Sequence, residues 1–254
     1  MQRSWKKEEL TYRFPGKQAA LLILHGFTGN PIILKRIARQ IHQEDIAIEA
    51  PLLPGHGGTI EEINSVTMEE WIHTADKTFL QLKKHHFHVF VLGYSLGSLL
   101  ALELASRRTL SGLILLSTAL KFTHSQHLRQ MIAEDTRSLI PLDEIFDKED
   151  PERFQGYEMW PALGFREVLR LSHQVRRQLQ NIHAPVLACH GQKDTLTPPE
   201  NLEYLKNNIG SYYVETHLLE KSHHRIAAGP DQDYIIRKSL HFIHQNLNQE
   251  KQET

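Results

Sequence analysis

One cysteine, Cys189, is all that the 254 residues contain. A lone thiol cannot close an intrachain disulfide, which excludes the small secreted domains that depend on such staples. Long apolar runs are missing too. None approaches the roughly 18 residues that a membrane span requires, and Met1 to Glu9 is polar and charged where a secretory leader would be apolar. Neither sign of charge dominates, with 29 Lys and Arg against 30 Asp and Glu. Nucleic acid and anionic membranes, which select basic surfaces, are therefore not the expected partners. The expectation is a cytoplasmic protein without stable membrane insertion that acts on a small molecule. Its length suits one large domain with a full core, and composition leaves the oligomeric state open.

Histidine is plentiful, at 17 residues. A metal site does not follow from that count, because no His-Glu-x-x-His pair occurs and one cysteine cannot build a thiolate site.

What the chain does contain is a repeated alternation of short apolar runs and amphipathic stretches. Strand-like runs lie at Ala19 to Leu24, Ile46 to Ala50, Phe87 to Leu92, Gly112 to Ser117, Val186 to His190 and Tyr212 to Leu219. Helical spacing follows at Ile32 to Gln43, at Leu96 to Arg107, from about Pro199 to Asn207, and near Gln232 to Asn246. Thr67 and Glu70 make a capping box for a helix running to Lys83. Near-continuous apolar strands alternating with helices imply an α/β fold: a mostly parallel sheet with helices on both faces. The rhythm fails over residues 121–177, where Pro141, Pro151, Gly156, Pro161 and Gly164 interrupt polar helical stretches. That segment is expected to be a small inserted cap, with residues 1–120 and 178–254 as the core.

The strand ending near Leu92 runs into Gly93-Tyr94-Ser95-Leu96-Gly97 and then a helix. A serine at such a strand-to-helix turn is held in a sharp elbow, exposed for attack, with glycines leaving room on both sides. Serine is a weak nucleophile unless a base takes its proton, and the base needs an acid to orient it. Later strands supply both in the required order: Asp194 follows the run ending at His190, and His223-His224 follows the run ending at Leu219. An oxyanion hole needs two further donors. The Leu96 amide, directly after the serine, and the Phe27 amide, in the loop after the first long strand, are the candidates.

His25-Gly26-Phe27-Thr28-Gly29-Asn30, the Pro-x-x-x-Gly-His-Gly loop ending at Gly57, Gly-Tyr-Ser-Leu-Gly and Ser222-His223-His224 together resemble the small bacterial carboxylesterases and monoacylglycerol lipases of the α/β-hydrolase fold. The resemblance spans most of the chain outside the cap. It implies a serine hydrolase of carboxylic esters that needs no cofactor, and its Ser-x-His pattern assigns the base to His224. It also implies a cap that forms an acyl pocket. Two positions depart from the pattern: Ser98 stands where many relatives carry glycine, and Ala228 where many carry an aspartate that supports the histidine loop. Asp231 or Asp233 could take over that support.

Inside the cap, Tyr157, Met159, Trp160, Leu163 and Phe165 form an apolar cluster that either packs the cap or lines a substrate site. His25 and His56, each in a glycine-flanked loop, fit a scaffolding role at least as well as a substrate contact. Cys189, in an apolar strand, is expected to be inert. The chemistry that follows is hydrolysis of short- to medium-chain esters through an acyl-enzyme. The neighbouring alternatives are monoacylglycerol lipase and acyl thioesterase, and from another class a catalytically silent binding module.

Overall fold

The computed structural model describes residues 6–123, 139–141 and 159–250. Its main sheet has seven strands, β1 (Tyr12–Phe14), β2 (Ala19–Leu24), β3 (Ile46–Ala50), β4 (Val89–Tyr94), β5 (Gly112–Leu116), β8 (Val186–Gly191) and β9 (Val214–Leu219), while β6 (Leu139–Pro141) and β7 (Met159–Pro161) pair separately. Spatial order is β1-β3-β2-β4-β5-β8-β9, antiparallel only between β1 and β3. The described helices are α1 (Lys7–Leu10), α2 (Lys35–His42), α3 (Ile60–Asn64), α4 (Met68–Lys83), α5 (Leu96–Ala105), α6 (Ala162–Gln178), α7 (Asn201–Asn208) and α8 (Gln232–Glu250). This is the mostly parallel α/β sheet, covered by helices on both faces, that the pattern of runs implies. No described helix is long and apolar enough to cross a membrane.

Alternation along β2 shows how the sheet builds two cores. Ala20, Leu22 and Leu24 join the layer of α4, α5 and α6, whereas Leu21 and Ile23 join the layer of α2 and α8. Both faces are covered, so every residue of β2, β4 and β5 is buried. The Thr67–Glu70 capping box is present, with the Thr67 N–H donating to Glu70 Oε2 over 2.9 Å.

Three details differ from the sequence expectation. β4 starts at Val89 rather than Phe87, whose ring is 80% exposed, and extends through Gly93 to Tyr94. Strand β1, only three residues long, and α3 with its Thr59–Glu62 capping box add elements that the apolar pattern did not mark. Gly164 does not interrupt a helix but lies inside α6. Its missing side chain lets α6 approach α3 closely, since a Cβ there would lie 2.8 Å from the Ile63 carbonyl oxygen. The Gly164 N–H donates to Asn64 Oδ1 over 3.0 Å, which pins the start of α6 to the core.

Candidate active site

Parallel strands end on one edge, and the loops that leave that edge carry the site. Ser95 follows β4 directly, with φ 53° and ψ −111°, a strained conformation for a residue bearing a Cβ. Its own backbone is anchored, because the Ser95 N–H donates to the Leu116 carbonyl at the end of β5 over 2.9 Å. Both elbow glycines are required by space. A Cβ on Gly93 would sit 2.3 Å from the Gly97 oxygen, and one on Gly97 would sit 2.0 Å from the Leu24 oxygen. At Ser98 the hydroxyl donates to the Ser95 and Leu116 carbonyls, at 2.9 and 3.2 Å, so a serine fits there by bonding the elbow rather than merely being small.

His224, and not His223, lies between the serine and the aspartate. Its Nε2 is 2.9 Å from Ser95 Oγ and its Nδ1 is 2.7 Å from Asp194 Oδ2. All three side chains are buried or nearly so. Ser117 Oγ, on a backbone turned to φ 45°, donates to the His224 carbonyl over 2.8 Å and fixes the histidine from the β5 side.

Asp194 is held more completely than either partner. Oδ1 accepts the N–H groups of Leu196 and Thr197, at 3.0 and 2.8 Å, and Oδ2 also accepts the Thr197 hydroxyl at 2.8 Å. Burial alone would push this carboxyl up. The imidazoles of His224 and His190 outweigh burial and hold it well below the usual carboxylate range. Asp194 is therefore an anion at any pH where the protein is folded and His224 can act as base.

The oxyanion candidates are neighbours because β2 and β4 pair, with Leu24 opposite Gly93. Leu96 is the first residue of α5, where an N–H has no acceptor within its own helix. Phe27 lies in the loop after β2, and a Cβ on Gly26 would be 3.3 Å from the Ser95 Cβ. Beneath that loop His25 and His56 act as scaffolding. His25 Nδ1 donates to the Gly26 carbonyl over 2.9 Å while its Nε2 accepts the Leu53 N–H over 3.0 Å, joining the loops after β2 and β3. His56 Nδ1 donates to the Pro54 carbonyl, which also accepts from Trp71 Nε1. Burial drives both imidazoles down, His25 well below its ordinary value and His56 to about 4.

Of the cap residues proposed for substrate contact, Tyr157 lies outside the described residues. Trp160 is buried, and its ring is 5.5 Å from that of Phe27 and 5.4 Å from that of Phe165. Met159 and Leu163 flank it half-buried, in β7 and in the first turn of α6. The aromatic cluster thus reaches from α6 to Phe27 in the loop after β2, and it serves as packing there. Cys189 is fully buried in β8, and burial pushes its thiol up to about 12, so no thiolate is available. Among the described residues no three His, Cys, Asp or Glu side chains converge as metal ligands would.

Asp231 and Asp233 divide the support question between them. Ser222 Oγ donates to Asp231 Oδ2 over 2.8 Å, tying the histidine loop to the start of α8. Asp233 instead pairs with Arg36 on the surface.

Residues 15–231 match the family described as serine aminopeptidase, S33. The chain belongs to that family. It is a serine hydrolase of the α/β-hydrolase fold. Among curated relatives it is 27% identical to the thermostable monoacylglycerol lipase of Bacillus sp. (strain H-257) over 224 residues, 88% of this chain and 89% of that protein. It is 21% identical to the carboxylesterase of Bacillus subtilis (strain 168) over 233 residues, 91% and 95% of the two chains. Among solved structures, one from the work on the metagenome-derived lipolytic enzymes LipS and LipT superimposes with a TM-score of 0.84 at 24% identity, covering 92% of this hydrolase and 97% of that chain. The monoacylglycerol lipase of Paleococcus ferrophilus gives a TM-score of 0.74 at 18% identity, covering 93% and 99%.

Two residues that engage the hydrolase's triad were not singled out from sequence. Thr197 donates to Asp194 from both backbone and side chain, and His190 places Nε2 3.0 Å from Asp194 Oδ2. The His190-Gly191-x-x-Asp194 spacing was the available signal, since a tight turn after a strand returns its fourth residue over the strand end.

Proposed function

We propose that this serine hydrolase cleaves carboxylic esters of short to medium acyl chains through an acyl-enzyme. The observation that carries the proposal is the unbroken chain from Ser95 Oγ through His224 to Asp194. Ser95 Oγ attacks the ester carbonyl as its proton passes to His224 Nε2, and the Phe27 and Leu96 amides hold the oxygen that becomes negative. Collapse of the tetrahedral intermediate expels the alcohol, which leaves with the proton from His224. Water then repeats the sequence on the acyl-enzyme, with His224 again taking and returning a proton. Asp194 stays charged throughout and balances the imidazolium.

In this reading the acyl group lies against the aromatic face of Phe27, Trp160 and Phe165, with Met159 and Leu163 beside it. An apolar acyl chain gains from such a surface. Monoacylglycerol is the second substrate proposed, supported by the names of a curated relative and a structural neighbour that cover nearly the whole chain. Residues 121–177 are taken as the cap.

Hydrolysis of p-nitrophenyl esters from acetate to palmitate, alongside monoacylglycerols, an acyl-thioester and leucine p-nitroanilide, tests this in wild type and Ser95→Ala. Turnover that peaks at short or medium chains and vanishes in the variant is the expected result. A peak on monoacylglycerol moves the assignment to the lipase, and on the thioester to a thioesterase. Turnover of the anilide alone overturns ester specificity, and no turnover with no labelling of Ser95 by a fluorophosphonate leaves a silent binding module.

A further inference from the structure

Asp194 is contacted by two imidazoles, and catalysis as proposed above uses only one. His190 is the last but one residue of β8, and the turn Gly191 to Asp194 folds the carboxylate back over it. Both side chains are fully shielded from solvent, with His190 Nε2 3.0 Å from Asp194 Oδ2. The same nitrogen lies 2.9 Å from the Thr197 carbonyl oxygen. The Thr197 hydroxyl, 3.3 Å from the same nitrogen, gives its hydrogen to Asp194 Oδ2, so every neighbour of Nε2 is an acceptor and the hydrogen must be on Nε2. Nδ1, on the other side of the ring, is buried and meets no hydrogen-bond partner among the described residues. An imidazole sunk in a core with one nitrogen unanswered is costly, and an apolar side chain of similar size would avoid the cost.

We infer that His190 is a positioning residue for the triad: its Nε2–H bridges Asp194 Oδ2 and the Thr197 carbonyl, and so sets both the orientation of the carboxylate and the share of its charge that reaches His224. This rests on the assignment of Asp194 as the triad acid. Oδ1 is spent on two backbone N–H groups, which fix the carboxylate plane from one side. Oδ2 divides its charge among His224, the Thr197 hydroxyl and His190. A donor that draws on Oδ2 lowers the pull of Asp194 on the His224 imidazolium, which keeps His224 unprotonated to lower pH and speeds the return of its proton to the leaving group. Two further ionisable groups among the described residues lie near the pair. Tyr94, from the end of β4, lies with its ring 5.6 Å from that of His224, and Lys193, in the turn itself, is exposed.

Two substitutions separate this role from packing. His190→Leu fills the volume and removes the donor, whereas in His190→Gln the side-chain amide nitrogen can reach the position of Nε2. With a p-nitrophenyl ester as probe, His190→Leu should lose about tenfold or more in kcat, as for a hydrogen bond to a charged group, with KM nearly unchanged. Its acidic limb of kcat/KM should move to higher pH by roughly 0.5 or more. His190→Gln should recover most of kcat and the wild-type limb. A Leu variant with wild-type kcat, an unmoved acidic limb, or equal impairment of Leu and Gln variants would each overturn the inference. Should the Leu variant fail to fold, nitrogen-15 NMR of wild-type histidines decides: the inference requires a hydrogen on Nε2 of His190 and a bare Nδ1, and the opposite tautomer refutes it. Ser95→Ala and Asp194→Asn assayed in parallel keep the two claims apart, since turnover retained in those variants removes the triad itself.

Discussion

Lowering the pH from 7.5 to 5 should destabilise this fold through the loops after β2 and β3. His56 is buried, and burial brings its imidazole from 6.5 to about 4. Its charged form is thus favoured in the unfolded chain and excluded from the folded one. The unfolded state therefore binds the extra proton between these two values, so stability is full above 6.5 and is lost as pH falls towards 4. A tenfold difference in proton affinity between the two states is worth about 1.4 kcal/mol, so the full effect is about 3 kcal/mol, of which about 2 is already lost at pH 5. His25, also lowered by burial and by the neighbouring His56, acts in the same direction. The replacement His56→Asn keeps a donor at the position of Nδ1 for the Pro54 carbonyl but cannot titrate. Urea unfolding at both pH values measures the difference. The wild type should lose more stability than His56→Asn by about 2 kcal/mol. Equal losses in the two proteins would refute the argument, because the protonation difference would then not lie at this residue.

Asp194→Asn should lower kcat by roughly three to four orders of magnitude, since an amide can neither balance the imidazolium nor enforce the His224 tautomer; steady-state kinetics on a fold verified by circular dichroism checks it. Asp231→Ala strips Ser222 Oγ of its acceptor and should cost about 1 kcal/mol of stability and several-fold in kcat. Asp233→Ala, which breaks only an exposed pair with Arg36, should leave both nearly unchanged. Gly97→Ala should cost about 3 kcal/mol or more in urea unfolding, because its Cβ would be forced against the Leu24 carbonyl oxygen.

The layers of the fold were legible where burial on both faces makes a strand uniformly apolar. Ala19 to Leu24 and Gly112 to Leu116 are such strands, and their apolar composition alone marks them. Legibility failed where structure depends on a partner distant in sequence. β1 exists because Tyr12, Arg13 and Phe14 find Ala50, Glu49 and Ile48, a pairing that three residues cannot announce. Gly164 pointed the wrong way because glycine is poor in helices by propensity, whereas here close approach to α3 decides. Phe87 belongs to the apolar run, yet its side chain faces solvent and the ladder starts two residues later.

In the site, the residues that reach the reacting atoms were easier to find than those that hold them. A nucleophile, an acid and a base that follow three parallel strands of one sheet must appear in a fixed order, so Ser95, Asp194 and the His223-His224 pair could be named from position. The choice between the two histidines needed either the family pattern or coordinates, because a loop residue one place away can turn its side chain in the opposite direction. Support is harder still, since any donor that the fold brings within 3 Å will serve. Ser222 and Asp231 are nine residues apart, and Ser117 reaches the His224 carbonyl across 107 residues. Ala228, where the resemblance implies an aspartate, therefore does not leave the histidine loop without support, because Ser222 bonds Asp231 instead. The same logic applies to Asp194: a carboxylate this deeply buried must have its charge answered from every side. Its depth in the fold is itself the reason that Thr197 and His190 stand where they do.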